Sequence, residues 1–565
     1  MSKTGACLLC DWLVSIRVEY VFCVPGFQVH SLIQEIAHHP KLQAIVATHE
    51  LGAGFMADGY ARTKGTIGVC LSIGGPGASN MLTAAVTARL DNTPLLFLTG
   101  NVPVTRADKG AFQDAGKTGT NDIALFRQAV DYSQSVPDRD ALNILLHKTS
   151  HILQQGGTAH LSIPMDILSA QGDGLQQPAE NIFKPSRSDV DDELIELIGS
   201  LSNARKILLL LGQRTATPAG IVPIKKFVET YHLPVVTTLA AKGILNEDHE
   251  LSFGNIGFAG NAQANALLLT YEFDLLLLIG ADFNQKDSLQ WDSRIRSTNR
   301  LIISLDTQLT TYRPPIPVDA TYISEDLASQ LSVLTSCSEN ELRPLRLTSD
   351  FRRTWLNTLM SRSSAHSKDE PDCEEGMLTE INILRTLRAN FAKDTLLYPD
   401  SGSSRIFAGK YWKVLKPRTF YSATCTAPTG WAIAAAIGAK LAKPESPVIV
   451  LTGDISMLMH GIEIATAFRY GLPVIIIVLD NGGNIGAMCA SQNDPNVYSL
   501  VQTPKVDWKR FANAFGVKGI SVSTLGELKK ACAEWTDKPV VIHIHLDIEI
   551  DSNVLGYTES AYHCS

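Results

Sequence analysis

The sequence predicts an α/β protein built from three domains, each a doubly wound parallel sheet. Short apolar, β-branched runs such as VIVL (448–451) and VIIIVL (474–479) alternate with helical patterns, which is typical of strands buried on both faces of a parallel sheet. The 565 residues also exceed what one hydrophobic core usually serves. Polar stretches at 171–188 and 337–373 supply the expected boundaries between domains.

The first domain is predicted to span residues 1–170 and to alternate helix and strand. Its pattern gives a helix at Cys7–Ile16, a strand and glycine turn at 18–26, a helix near Ser31 and a strand at Leu42–Ala47. Glu50 then opens a helix whose small residues allow very close packing; they are Gly52, Ala53, Gly54, Ala57 and Gly59.

A glycine-rich turn follows the next strand of this domain. Gly74, Gly75 and Gly77 lie between that strand and a helix at Asn80. Such a segment binds an anion at a helix N-terminus or forms a tight left-handed turn, and the residues alone leave both alternatives open.

The second and third domains repeat the alternation. A linker with Pro178 and Pro185 leads into the middle domain, residues 188–336, with strands ILLLLG, PVVTTL, DLLLLIGAD and RLIISLD. A charged connector with one helix near Phe351–Met360 precedes the third domain, residues 374–550, which closes with VVIHIHLDI. The first and third domains share a coarse pattern, which indicates an internal duplication. The polar tail 551–565 forms either a mobile lid or a frayed end.

Composition narrows the class of protein. Apolar residues make up 45% and charged residues 19% of the chain, as in soluble globular proteins. A net charge of −8 without a basic stripe argues against nucleic acid as a partner. Asp11 interrupts the apolar N-terminus and no cleavage site follows, so we expect neither a signal peptide nor a membrane span.

The cysteines indicate a reducing compartment. Ten cysteines are scattered along the chain, which fits reduced thiols in the cytoplasm. Cys7 and Cys10 form a CxxC within a predicted helix, and no second pair completes a zinc site. We therefore expect them to be core thiols.

The segment from Gly453 to Gly486 has the features of a clasp for magnesium and a diphosphate. Asp454 follows one buried strand, and Asn481 follows the next, 27 positions further along (481 − 454). Because parallel strands end at the same edge of a sheet, the two side chains should meet there. A carboxylate, an amide oxygen and the Gly483 carbonyl suit Mg²⁺, which prefers oxygen ligands and shares them with phosphates.

The whole clasp resembles the thiamine diphosphate motif of the superfamily that includes acetolactate synthase, pyruvate oxidase and the 2-oxo acid decarboxylases. The segment from His49 to Gly100, with HELGAGFMADGYAR and GGPG, resembles the pyrimidine-binding domain of acetolactate synthases. The resemblance implies thiamine diphosphate and Mg²⁺ as cofactors. It places these residues at the cofactor: Pro25, Gly75, Gly453, Asp454, Ile455, Ser456, Asn481, Gly483 and Ile485.

Three further roles follow from the resemblance. Glu50 matches the family's glutamate, which shares a proton with N1′ of the aminopyrimidine and so activates the cofactor. Ala427 falls where a carbonyl accepts from N4′, and Thr429 falls where a bulky residue bends the cofactor. The family usually has methionine, leucine or isoleucine at the Thr429 position, so this site departs from the pattern.

The resemblance also bears on the reaction. Phe112 and Gln113 resemble an FQ pair that lines the substrate side, and Gln113 is a catalytic candidate. Gly26 matches the family's PGG, but Phe27 and Gln28 follow it and add bulk. The paired histidines of pyruvate decarboxylases are absent from residues 102–119.

We therefore expect a carboligase that decarboxylates a 2-oxo acid and joins the product to a second carbonyl compound. Three alternatives stay open: a lyase acting on 2-hydroxy ketones or 2-hydroxyacyl thioesters, a simple decarboxylase, and a non-catalytic scaffold. Intact Glu50, Asp454 and Asn481 argue against the scaffold.

Two expectations concern the middle domain and the assembly. Flavin-carrying members have GxRFD where this chain has Gly280 to Asn284 (GADFN), and the acidic Asp282 would repel a flavin diphosphate. We therefore expect FAD to be absent. In the family the cofactor lies between two subunits, which implies a homodimer or homotetramer.

Overall fold

The computed structural model contains three parallel β-sheets and one short antiparallel pair. It describes residues 2–174, 192–270, 273–296, 300–307, 316–324, 326–336, 351–358, 377–483, 494–535 and 537–546. Every pair of neighbouring strands in the three large sheets runs parallel, in agreement with the predicted α/β class.

The N-terminal sheet has the strand order β3-β2-β4-β5-β7-β6. Its strands are β2 (Tyr20–Cys23), β3 (Gln43–Val46), β4 (Gly68–Ser72), β5 (Leu95–Asn101), β6 (Tyr132–Ser135) and β7 (Ala159–Pro164). Separately, β1 (Lys3–Thr4) pairs antiparallel with β8 (Gln171–Gly172). The helices are Gly5–Ser15, His30–His38, Glu50–Lys64, Pro76–Asn80, Leu82–Leu90, Asp122–Phe126, Arg139–Gln154 and Met165–Ser169.

The middle sheet has the order β11-β10-β9-β12-β13-β14. Its strands are β9 (Ile207–Leu211), β10 (Val235–Thr237), β11 (Ser252–Asn255), β12 (Leu275–Ile279), β13 (Leu301–Asp306) and β14 (Ala320–Ile323). Helices Asp192–Asn203, Ile221–Tyr231, Ala262–Thr270 and Leu327–Ser336 surround it. A further helix, 351–358, contributes Trp355 and Leu356 to the same core, so this part of the predicted connector packs against the middle sheet.

The C-terminal sheet has the order β15-β16-β17-β19-β18. Its strands are β15 (Leu396–Pro399), β16 (Val448–Gly453), β17 (Val474–Asp480), β18 (Lys518–Val522) and β19 (Val540–His545). The helices are Glu380–Asn390, Ser403–Tyr411, Trp431–Ala442, Asp454–His460, Ile464–Arg469, Pro495–Val501, Trp508–Ala514 and Leu525–Ala533.

The N-terminal and C-terminal sheets share one topology. Across the N-terminal sheet, the shared strands follow the order β2-β4-β5-β7-β6, so the last two strands in the chain are exchanged in the sheet. The C-terminal sheet shows the same exchange, in the order β15-β16-β17-β19-β18. The N-terminal sheet adds β3 at its edge. This agrees with the internal duplication that the sequence pattern indicates.

Two helices at corresponding places of this topology pack directly on each other. Helix Glu50–Lys64 precedes β4, helix Trp431–Ala442 precedes β16, and both belong to one hydrophobic core. A Cβ added to Gly59 would lie 2.0 Å from the carbonyl oxygen of Ala435, and one added to Gly438 would lie 1.9 Å from that of Met56. Only glycine permits this approach of the two backbones, as the small residues after Glu50 predict.

Helix Asp454–His460 begins at Asp454 itself, directly after β16. One local prediction needs correction. Gln171 and Gly172, assigned to the linker, form β8 against the N-terminus. Residues 175–188 of that linker and the tail 551–565 lie outside the described residues.

Other observations agree with the sequence. Cys10 is buried on helix Gly5–Ser15, and burial raises the pKa of its thiol to about 12, as expected of an inert core thiol. No helix in the described ranges combines the length and the apolar character needed to cross a bilayer.

Candidate active site

The carboxyl ends of β16 and β17 bring the two predicted metal ligands to one edge of the C-terminal sheet. Gly453 pairs with Leu479 in the register of these strands, so Asp454 and Asn481 each follow directly at the same edge. Asp454 begins helix Asp454–His460, and the first-turn amides of Ile455 and Ser456 point toward that edge as at any helix N-terminus. A negatively charged group is favoured at this position.

Asp454 is held in place from a second loop. Its Oδ2 accepts a hydrogen bond from the hydroxyl of Thr503, whose backbone amide donates to the carbonyl of Gly482 at 3.0 Å. Burial raises the pKa of Asp454, and the Thr503 hydroxyl and backbone amides offset part of that effect. A divalent cation would favour the ionised form of this buried carboxylate.

The donor set at this edge fits magnesium. It combines the Asp454 carboxylate, the Asn481 amide oxygen and the backbone near Gly483, all hard oxygen ligands. Elsewhere in the described ranges, no three histidine, cysteine or acidic side chains converge on a metal position.

Sequence reasoning missed a third contributor to this edge, the end of β15. Asp400 is buried and accepts from the amides of Ser401 (2.8 Å) and Gly430 (3.1 Å) and from the Thr452 hydroxyl (3.0 Å). Burial raises its pKa to about 6 despite these hydrogen bonds. Gly402 follows with φ 92° and open space around it, and helix Ser403–Tyr411 begins there. The sequence signal that could have identified this turn is Asp400, which directly follows a buried strand and precedes SGSS (401–404).

Glu50 begins its helix at the carboxyl end of β3. His49 caps the helix by accepting from the amide of Leu51 at 3.1 Å. The Glu50 carboxylate accepts from the Asn80 amide group at 2.9 Å and lies 3.4 Å from the hydroxyl of Ser72. Two polar side chains of the N-terminal domain thus orient the carboxylate and leave it partly accessible.

The backbone amides of the glycine turn after β4 already donate hydrogen bonds to side chains of the same domain. The amide of Gly75 donates to both carboxylate oxygens of Asp122, at 3.3 and 3.1 Å, and the amide of Gly74 donates to the side chain of Gln28 at 2.8 Å. Gly75 has φ 68°, a left-handed conformation. The structure therefore favours the tight turn over an open anion loop.

The predicted substrate residues divide into a buried and an exposed group. Gln28 is only 5% exposed, and its side-chain NH₂ donates to the carbonyl of Gln113 at 2.9 Å. It therefore supports the Gln113 backbone, which has φ 56°. Phe27 and Phe112, which directly precede Gln28 and Gln113, are 79% and 86% exposed. Pro25 and Gly26 lie between β2 and this group, and a Cβ on Gly26 would lie 2.2 Å from Ile73.

Ala427 and Thr429 lie in the loop that precedes helix Trp431–Ala442. Ala427 has φ 51°, a strained conformation for a residue with a side chain. Gly430, also left-handed at φ 88°, packs against the ring of His460. Burial, with the nearby His49, lowers the pKa of His460 to about 4, so this ring is neutral.

Asp282 of the middle domain shares a cationic partner with a second carboxylate. Arg214, which follows β9, pairs with Asp282 at 2.7 Å and also with Asp306. One arginine and two aspartates leave a formal charge of −1 (+1 − 2), so the acidic character expected at this position remains. Ile485, the remaining predicted cofactor residue, lies outside the described residues.

Comparison with known proteins agrees with this arrangement of domains. The chain matches the models of three thiamine pyrophosphate enzyme domains: the N-terminal TPP binding domain over residues 3–119, the central domain over 194–332 and the C-terminal TPP binding domain over 400–544. The chain therefore belongs to the thiamine pyrophosphate enzymes.

Within this class, the full-length relatives indicate the acetolactate synthase type. The chain is 28% identical to the probable acetolactate synthase large subunit of Methanococcus aeolicus, over 96% of this chain and 92% of the relative. It is 27% identical to the acetolactate synthase large subunit of Lactococcus lactis, with the same coverage. A putative thiamine pyrophosphate-containing protein of Bacillus subtilis, YdaP, is 27% identical over 97% of this chain and 92% of its own length. This chain is thus a thiamine diphosphate-dependent enzyme resembling acetolactate synthase.

Proposed function

We propose that the enzyme decarboxylates a small 2-oxo acid and joins the acyl fragment to a second carbonyl compound. The observation that carries this proposal is the placement of Glu50 at a helix start, with its carboxylate oriented by Asn80 and Ser72. When bound, thiamine diphosphate supplies the nucleophilic carbon that makes decarboxylation possible. The protein's task is to bind the cofactor and to move protons around it.

Glu50 is the proposed proton exchanger. A carboxylate at N1′ of the aminopyrimidine holds or returns a proton as the ring changes tautomer. The carbonyl of Ala427 is the proposed acceptor for N4′, and its left-handed φ of 51° is a strain typical of functional backbone. Thr429 would support the bent cofactor with less bulk than the residues usual in the family.

The anchor is proposed to be the edge formed by β15, β16 and β17. Asp454, Asn481 and the Gly483 carbonyl would hold Mg²⁺, and the Gly453–Ser456 backbone would contact the diphosphate. The turn after Asp400 is added to the predicted set because Gly402 leaves open space at the start of a helix.

The substrate side is proposed to include Gln113, Phe112, Gly26 and Phe27. Exposed aromatic side chains beside a glycine turn provide apolar surface for a carbonyl acceptor and exclude water once covered. Excluding water favours carbon–carbon bond formation over protonation to an aldehyde.

Product analysis tests this proposal directly. The purified enzyme, with thiamine diphosphate and Mg²⁺, is incubated with pyruvate and with aromatic 2-oxo acids, and products are identified by mass. We expect acetohydroxy acids or acyloins. Aldehydes alone would contradict carboligation in favour of simple decarboxylation, and cleavage of an acyloin without any 2-oxo acid would favour the lyase.

Several coarser features belong to the same proposal. We propose domain limits at 1–170, 188–336 and 374–550, a homodimer or homotetramer, and a cytoplasmic location. We also propose that FAD is absent, because no arginine occupies position 282 and because Arg214, which pairs with Asp282, also pairs with Asp306, so that one cation serves two carboxylates. The absorption spectrum of the purified protein tests for flavin, and light scattering gives the number of subunits.

A further inference from the structure

Two fully buried carboxylates cross the interface between the N-terminal and C-terminal domains. The first is Glu463, which lies between β16 and β17 and has no exposed surface. Its Oε1 accepts from the amide of His49 at 3.1 Å, and its Oε2 accepts from the amide of Thr48 at 3.2 Å. The Thr466 hydroxyl donates to Oε2 at 2.7 Å. A side chain of the C-terminal domain therefore fixes the two residues that lead into Glu50.

The second carboxylate, Asp91, makes the reverse connection. It lies between β4 and β5 of the N-terminal domain, also without exposed surface. Its Oδ2 accepts from the amide of Thr424 at 3.1 Å and its Oδ1 from the amide of Cys425 at 2.9 Å. Arg62 pairs with Asp91 at 2.9 Å. Asp91 therefore fixes the segment that leads into Ala427.

We propose that Glu463 and Asp91 are reciprocal positioning residues: each holds, from the opposite domain, two consecutive backbone amides that end one residue before Glu50 and two residues before Ala427, respectively. The inference rests on the function proposed above for Glu50 and Ala427. Both carboxylates are fully buried, so neither is exposed to a cofactor. Each acts by fixing the backbone conformation that places a cofactor-contacting group: the Glu50 carboxylate for Glu463 and the Ala427 carbonyl for Asp91.

The charge and shape of the carboxylates are both required. In each case the two carboxylate oxygens accept hydrogen bonds from two consecutive backbone N–H groups. A glutamine or asparagine side chain would instead direct its NH₂ group at one of these N–H donors. The fit is tight around Glu463, because a Cβ on Gly52 would lie 2.0 Å from its Oε1. Alanine at position 52 should therefore displace Glu463 without removing it.

The test uses the holoenzyme with Mg²⁺ and two variants, Glu463→Gln and Asp91→Asn. The rate of deuterium exchange at thiazolium C2 reports cofactor activation and needs no substrate. A displacement of about 1 Å at such a site costs up to about 100-fold in rate, so we expect exchange to slow by about 10- to 100-fold. Cofactor affinity should change little, because the anchor at Asp454 is untouched.

A control comes from the middle domain. Asp274 is an exposed carboxylate that accepts from two consecutive amides through one oxygen, Oδ2: from Arg205 at 3.0 Å and from Lys206 at 2.8 Å, within one domain and away from the site. Asp274→Asn should leave exchange unchanged.

The double variant separates positioning from general loss of structure. If Glu463 acts through Glu50, Glu463→Gln should have little further effect on exchange in a Glu50→Gln background. Equal loss in both backgrounds, or exchange at the normal rate in both single variants, would overturn the inference. Should Glu463→Gln fail to fold, Gly52→Ala is measured in the same two backgrounds. Normal exchange in Glu50→Gln alone would instead refute the proposed function.

Discussion

The N-terminal and C-terminal sheets share a strand order but use the edge after their second shared strand in different ways. In the N-terminal domain the turn after β4 donates the amides of Gly74 and Gly75 to Gln28 and Asp122 of the same domain. In the C-terminal domain the turn after β16 places Asp454 at a helix start, beside Asn481. One turn is closed by its own side chains, and the other offers oxygens and first-turn amides to a ligand.

The difference shows that a glycine turn before a helix does not by itself define an anion site. The two turns also differ in backbone conformation: Gly75 before the N-terminal helix is left-handed (φ 68°), whereas Gly453 before the C-terminal helix is extended (φ −104°). In the N-terminal turn, Asp122 occupies the position that an anion would take. A carboxylate supplied from elsewhere in the chain converts a potential binding loop into a structural turn. The contribution that we propose for the N-terminal domain to the cofactor site comes from a different helix start, at Glu50.

The largest effect on this difference between the two domains is expected from a substitution of Glu50. A glutamine cannot exchange a proton, and general acid–base groups contribute about 10²- to 10⁴-fold, so Glu50→Gln should lower turnover by at least about 100-fold. Cofactor affinity should be nearly retained, because the anchor belongs to the other domain. Steady-state kinetics and a cofactor titration measure the two effects, and unchanged turnover would refute the role of Glu50.

The complementary change is Asp454→Asn. Removing a buried charged ligand costs about 2 kcal/mol or more, which corresponds to an apparent Mg²⁺ affinity about 30-fold weaker. Titration of the apoenzyme with Mg²⁺ at fixed thiamine diphosphate gives the value. Asp122→Asn is the counterpart in the N-terminal turn and should leave Mg²⁺ affinity unchanged. Equal losses for the two variants would contradict the contrast between the turns.

The interface between the two domains offers a smaller effect. Gly438→Ala would bring a methyl group 1.9 Å from the Met56 carbonyl and force the two helices apart. Overpacking of this kind costs about 1–3 kcal/mol, so the thermal midpoint should fall by several degrees. Gly199→Ala is the matched control, since that helical position has open space and alanine there should stabilise slightly. A midpoint unchanged in Gly438→Ala would mean that the helices are not held this closely.

The sequence predicted those features whose signals are local. Apolar runs and their spacing predicted the strands, and Glu50 and Asp454 were identified because each follows a predicted strand within a motif that resembles the family's. The partners of these residues were not predictable, because folding brings them from distant parts of the chain. Glu463 and His49 are 414 positions apart, and Asp91 and Cys425 are 334 apart. Gln28 illustrates the same limit, since its side chain turns inward to Gly74 and Gln113.

The smallest expected effect concerns a histidine on the fourth of the five strands that the two sheets share, which is β7 in the N-terminal sheet and β19 in the C-terminal sheet. In β19, His543 pairs with Asp480 at 2.9 Å. In β7, His160 has no acidic partner among the contacts described for it: its ring nitrogens lie 2.9 Å from the Thr99 and Ser133 hydroxyls, and the ring stacks on Phe126. Burial lowers the pKa of His160 to about 3, from an ordinary value of 6.5.

Between those two pKa values the unfolded chain binds a proton that the folded chain does not, so His160 makes stability fall as the pH drops below 6.5. The loss reaches about 1.4 kcal/mol at pH 5.5, since one pKa unit corresponds to about 1.4 kcal/mol. We expect the thermal midpoint of His160→Gln to decrease less than that of the wild type between pH 8 and pH 5.5. If the thermal midpoints of the two proteins fell in parallel over this pH range, His160 would not make the stability of the N-terminal sheet depend on pH.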